Sequence, residues 1–168
     1  MIEIKYKIFD SFNAGNNEFK GEYGYFLIVI DDETYGYYRE DVDLDILSTN
    51  IYNWFVNLLK GLSLLESNKT VYISDVETPE TWIRLAQNTE NIQIGEINAE
   101  KPDGTLAIET DIDAKEATVW TRIIKAKYFR EELFVKVNKY LKDLEILNGR
   151  DNDKIKELKF LLSKLSEV

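Results

Sequence analysis

Hydrophobic residues change period three times along this chain, and the order of those changes constrains the fold more than any other feature. Ile2, Ile4, Tyr6 and Ile8 recur at period two with Glu3, Lys5 and Lys7 between them, the pattern of a half-buried strand. Ser11 to Gly21, which contains Asn13-Ala14-Gly15-Asn16-Asn17, reads as a loop. Glu22 to Ile30 is a β-prone run stopped by Asp31-Asp32-Glu33, and Thr34 to Arg39 returns as its hairpin partner. Gly24 and Gly36 mark bulges or places where a neighbouring backbone or aromatic ring comes close.

At Ile51 the period becomes helical, with Trp54, Phe55, Leu58, Leu59, Leu62 and Leu65 on one face. Asp43, Asp45 or Ser48 is placed to cap this helix, and Ser67-Asn68 ends it. Period two then returns in Val71 to Ile73, Thr81 to Leu85, Ile92 to Ile97, Thr105 to Glu109 and Ala117 to Lys125. Asn88 to Glu90 and Lys101-Pro102-Asp103-Gly104 are turns, the latter suited to a tight hairpin. Two helical stripes close the chain: Phe129, Leu133, Val137, Leu141 and Leu144, then Ile155, Leu158, Leu162 and Leu165, separated at Asn148-Gly149.

Connections this short favour antiparallel pairing, because a parallel crossover takes about a dozen residues or more. The expected fold is therefore α+β: an antiparallel sheet of about seven or eight strands, one long helix after the third strand, and two C-terminal helices. At 168 residues the chain is one domain, 1–168, with 151–168 as its most detachable piece. The stripe of that last helix either closes the core or pairs with a second copy, giving a monomer or a weak homodimer.

The chain has no cysteine and no histidine, which excludes disulfides, thiolate nucleophiles, Cys/His zinc sites and imidazole acid–base catalysis. The alternating N-terminus is not a signal peptide, and no apolar run reaches the ~20 residues that span a bilayer, so a cytoplasmic protein without membrane contact is expected. Residues 1–113 hold 8 basic and 22 acidic side chains, whereas residues 114–168 hold 13 basic and 9 acidic. A field so dominated by carboxylates repels phosphate backbones and attracts basic partners. The basic, aromatic stretch from Arg122 to Arg130 fits a strand entering a helix better than a nucleic-acid site.

Asp41-Val42-Asp43-Leu44-Asp45 is the nearest approach to a metal motif, since alternate carboxylates on an extended segment project to one side. It fails the EF-hand pattern, with Ile46 and Tyr52 where Gly and Glu are required, and capping the following helix is the simpler role. Asp151-Asn152-Asp153 reads as a helix cap for the same reason. Asp75 and Glu96 are lone acids among apolar neighbours, the setting that tunes a catalytic carboxyl. The plainer readings are that Asp75 ends a strand and Glu96 faces water. There is no G-x-G-x-x-G and no Walker lysine, so no cofactor is implied.

The hairpin region is the distinctive one. Tyr23, Tyr25, Phe26, Tyr35, Tyr37 and Tyr38 stand beside Asp31, Asp32, Glu33, Glu40, Asp41, Asp43 and Asp45. Tyrosine supplies contact area at low entropic cost, and carboxylates around it orient a basic partner. Asp31, Asp32, Glu33, Tyr35, Tyr37, Tyr38, Glu40, Asp41 and Asp43 are the candidate partner-binding residues, with plain sheet surface as the alternative.

A small, acidic α+β chain with clustered Tyr and Asp is similar in character to the immunity proteins of bacterial toxin–immunity pairs, including those of contact-dependent growth inhibition. Met1-Ile2-Glu3-Ile4-Lys5-Tyr6, the Asn53-Trp54-Phe55-Val56-Asn57-Leu58-Leu59 helix, Val71-Tyr72-Ile73-Ser74-Asp75, and Trp120 ahead of Phe129 resemble a family of bacterial proteins linked to such loci. The resemblance implies a non-catalytic protein that neutralises a cognate toxin, often a nuclease, by covering its basic active site. Two other classes stay open: a carboxylate- and Mg²⁺-dependent hydrolase using Asp41, Asp43 and Asp75, and a homodimeric structural or regulatory protein.

Overall fold

The computed structural model describes residues 1–9, 19–113 and 115–166, so most of the loop expected from Ser11 to Gly21 lies outside the described residues. β1 (Ile2–Ile8), β2 (Tyr23–Ile30) and β3 (Glu33–Tyr37) form an antiparallel sheet in that order, and β4 (Thr49–Asn50) pairs with the start of β2. Then come α1 (Ile51–Leu65), β5 (Thr70–Ser74), β6 (Thr81–Asn88), β7 (Asn91–Asn98), β8 (Ile108–Glu109) and β9 (Ala117–Lys125). These five strands make a second antiparallel sheet in the order β8-β5-β6-β7-β9, and α2 (Ala126–Asn148) and α3 (Asp153–Ser166) complete the chain.

The α+β class and the three helices match the expectation, but the strands divide between two sheets of four and five, and the long helix follows the fourth strand. The reason lies in α1. Besides the expected stripe it buries Tyr52, Val56 and Gly61, so its apolar surface wraps too far round to be satisfied by one sheet. Ile4, Phe26, Ile28 and Ile30 of the first sheet and Val71, Ile73, Ile83, Leu85, Ile92 and Ile94 of the second join it in one cluster. Phe129, Leu133, Val137, Leu141 and Leu144 of α2 enter the same cluster, as do Ile155, Leu158 and Leu162 of α3, with Leu165 packed against it.

Two local expectations change. Asn50, not Asp43, Asp45 or Ser48, caps α1: its Oδ1 accepts from the Asn53 amide at 2.8 Å. Asp45 is drawn instead into a 3-10 turn, Asp45–Leu47, whose carbonyl takes the Ser48 amide at 3.0 Å. Lys101 to Gly104 does turn, with the Thr105 amide on the Pro102 carbonyl at 3.1 Å, but it closes no hairpin. The strand expected from Thr105 shrinks to Ile108–Glu109 and pairs with β5, because the chain crosses the outer face of the sheet to reach that free edge. Before α3, Asn152 Oδ1 accepts the Lys154 amide at 2.9 Å, the capping role read for that segment.

Gly24 and Gly36 are close-approach positions, as anticipated. A Cβ on Gly24 would lie 1.9 Å from the Lys7 carbonyl oxygen, and one on Gly36 would lie 2.2 Å from that of Phe26. Gly36 has φ +94°, and beyond it the chain leaves the sheet at Tyr37.

Candidate functional site

Pairing on β2 sends Phe26, Ile28 and Ile30 inward and Tyr25 outward. Tyr25 is nonetheless fully buried, its ring edge-on to Phe9 at 4.6 Å and Tyr37 at 5.0 Å. What covers it is the irregular segment after β3. The Tyr25 hydroxyl donates to the Val42 carbonyl at 2.9 Å and accepts from the Leu44 amide at 2.7 Å, pinning that segment across the sheet. Asp41 to Leu47 is exposed throughout, and Ile46 is 91% exposed, with Val42, Leu44 and Leu47 also facing solvent. The segment thus covers the sheet with its backbone and turns its carboxylates and Ile46 outward, leaving Val42, Leu44 and Leu47 partly exposed.

Beside it lies a groove of about 320 Å³ between the first sheet and the loop after β5, lined by Tyr35, Ile46, Leu47, Trp54, Asp75 and Glu77 among others. Trp54 stacks on Phe26 at 5.7 Å, meets Tyr35 edge-on at 5.6 Å and donates its indole N–H to Thr49 Oγ1 at 3.1 Å. The Tyr35 hydroxyl donates to Asp75 Oδ2, and the Glu77 amide donates to Asp75 Oδ1 at 2.9 Å. Burial, with Asp75 second, pushes the Tyr35 phenol far above its ordinary value, so it remains a donor. Glu77 is raised above the usual carboxylate range by partial burial and by the charge of Asp75.

The nine residues read as partner-binding fall in several places. At the hairpin tip, Asp31 pairs with the N-terminal amine, while Asp32 and Glu33 both take the Arg122 guanidinium of β9 at 2.8 and 2.7 Å. Arg122 holds the Asp32 carboxyl below its usual range. Asp41 pairs with Arg39 at 2.6 Å and Asp43 with Lys7 at 2.6 Å. Tyr35 and Tyr37 line the groove; Tyr38 and Glu40 line a different depression, beside Lys136 and Lys139. Asp75 does follow a strand, and it also enters the groove. Glu96 does not simply face water: it accepts the Trp120 indole N–H at 2.8 Å in the seam between the sheets. Trp54, Ile46, Leu47 and Glu77 were not anticipated as site residues. For Ile46 and Leu47 the signal was present, as aliphatic residues inside an acidic segment with no element to bury them.

A second depression, about 350 Å³, lies on the outer face of the larger sheet over Trp82, rimmed by Glu100, Glu109, Asp111 and Asp113. Lys101 connects the two regions. Its ammonium donates to the carbonyls of Asp75 at 2.6 Å and Thr78 at 2.8 Å and sits 5.2 Å from the Trp82 ring centre. Burial lowers its pKa. Among the described residues, no three Asp or Glu are grouped to hold a metal ion, and no helix is long and apolar enough to cross a membrane. No protein-family model matches the chain, and neither does any curated protein or solved structure.

Proposed function

We propose that this chain is a non-catalytic, cytoplasmic binding protein of the immunity type, which neutralises a toxin protein by covering its basic active-site surface. One observation carries the reading: from Asp41 to Leu47, carboxylates alternate with exposed Val42, Leu44 and Ile46 on a segment anchored by Tyr25. Ile46, 91% exposed, gains almost nothing for the fold, and covering such a side chain fully is worth about 1.5–3 kcal/mol. Carboxylates between these aliphatic residues exclude an apolar partner and steer a basic one. Steric cover and charge complementarity are the whole mechanism, and no cofactor enters it.

The hydrolase alternative would need Asp41, Asp43 and Asp75 on one ion, yet they are bound to Arg39, Lys7 and Tyr35 respectively. The homodimer alternative would need the α3 stripe, whose Ile155 and Leu158 are fully buried in the shared core.

The test is co-expression with the product of the adjoining reading frame. Restored growth, a one-to-one complex and an association rate that falls with salt are expected. Toxicity without rescue, or a complex insensitive to both salt and Ile46→Ser, overturns the reading.

A further inference from the structure

Resting on that reading, we propose that the groove beside the strip seats one lysine or arginine side chain of the protein partner, its alkyl stem against Tyr35, Trp54 and Ile46 and its cation at Asp75 and Glu77. Most carboxylates of the hairpin have cations within the chain: Asp31 has the N-terminal amine, Asp32 and Glu33 share Arg122, Asp41 has Arg39 and Asp43 has Lys7. Asp75 and Glu77 differ. They line one groove, two residues apart in one loop, and among the described residues no lysine or arginine lines it with them. Lys101, the cation nearby, donates to the Asp75 backbone carbonyl, turns over Trp82 and feels the Asp75 charge, but it is not part of the groove lining.

The remaining walls are mainly aromatic and aliphatic, with Ser48 and Thr49 among them, and Ile46 at the groove is 91% exposed. Glu77 is raised first by burial and then by the charge of Asp75, against hydrogen bonds from Thr49 and Asn50, so the two carboxylates repel each other at this wall. A ligand that answers both parts of the groove needs an apolar stem and a positive head, the chemistry of a basic side chain. A neutral polar group would leave the pair unrelieved, and an anion would add to the repulsion.

The experiment titrates the isotopically labelled chain with three blocked tripeptides, acetyl-Gly-X-Gly-amide with X as arginine, lysine or citrulline. The indole N–H signal of Trp54, assigned through Trp82→Phe and Trp120→Phe, and the Gly36 amide report on the groove. Saturable shifts with arginine and lysine but not with citrulline are expected, weakened about fivefold by Glu77→Gln. Asp75→Asn gives a second, independent variant, and thermal melts confirm that both remain folded. Equal response to citrulline, or unchanged affinity in both variants, overturns the proposal. A partner complex indifferent to Glu77→Gln also overturns the groove while leaving the binding function standing. Peptide binding in the absence of any toxin complex does the reverse.

Discussion

Both sheets turn one face toward α1, and both have an aromatic residue on the other face covered by an acidic, irregular segment. Over the larger sheet, the segment after β7 is part of a small core. Trp82 is 1% exposed and donates to the Ala99 carbonyl at 3.1 Å; Tyr72 and Ile97 are buried with it, and Ile112 packs inward. Glu116 ties this cover down, accepting from the Tyr72 hydroxyl and from Arg84 at 2.8 Å. Over the smaller sheet, the Arg39–Ser48 segment contributes two backbone hydrogen bonds to Tyr25 and no buried aliphatic side chain. The comparison separates two uses of similar composition. One cover is held by buried side chains and closes a small core; the other is held by backbone hydrogen bonds and the Asp43–Lys7 ion pair, and it buries no aliphatic side chain.

The sharpest way to break that contrast is Trp82→Ala, which should cost about 3–5 kcal/mol as the small core empties. Chemical denaturation measures it, and a loss under about 1 kcal/mol would mean that this cover is not a core element. Tyr25→Phe should cost less, about 1–2 kcal/mol, because the freed Val42 carbonyl and Leu44 amide can reach water. Its signature is local: hydrogen exchange at the Leu44 amide should quicken while the amides of α1 keep their protection.

Alkaline pH gives a third, smaller contrast. Burial, with Glu116 second, pushes the Tyr72 phenol up to about 12, so between the unfolded value near 10 and about 12 the unfolded state releases a proton that the folded state keeps. Stability contributed by Tyr72 is therefore whole below pH ~10 and is lost as pH rises toward ~12. Tyr72→Phe should flatten part of the fall in melting temperature over that window. Last, Ile46→Ser should leave stability within about 0.5 kcal/mol of the parent, since the side chain touches little. The same change should weaken the complex proposed above about tenfold, as expected of an interface anchor. A large loss of stability from Ile46→Ser would return this segment to the fold.

Much of the architecture was legible because it follows from local spacing. The Ile51–Leu65 stripe and the Ala117–Lys125 run coincide with α1 and β9 to the residue, and the C-terminal stripes are the buried faces of α2 and α3. The second apolar flank of α1, with Tyr52 and Val56, was also in the sequence, and it is what calls for a second sheet. Period two could say that Tyr25 and Phe26 face opposite ways. It could not say that Tyr25 would be covered as completely as Phe26, because beyond the rings of Phe9 and Tyr37 its hydroxyl is covered by backbone atoms of Val42 and Leu44 that carry no hydrophobic signal. For the same reason the candidate residues shared a stretch of chain without sharing a surface. Asp32 and Glu33 were claimed by Arg122, about ninety residues away, a pairing that spacing along the chain cannot announce.

Sequence alone determined the α+β class, the positions of the helices and the acidic, aromatic character of the first two-thirds, since periodicity, turn chemistry and charge act over a few residues. Tertiary structure alone decided which carboxylates pair with cations within the chain and which line a groove that, among the described residues, has no lysine or arginine in its lining. It also decided which irregular segment is core and which is surface. Those outcomes depend on contacts between elements far apart in sequence, where burial and Coulomb interaction are set by neighbours that only folding supplies.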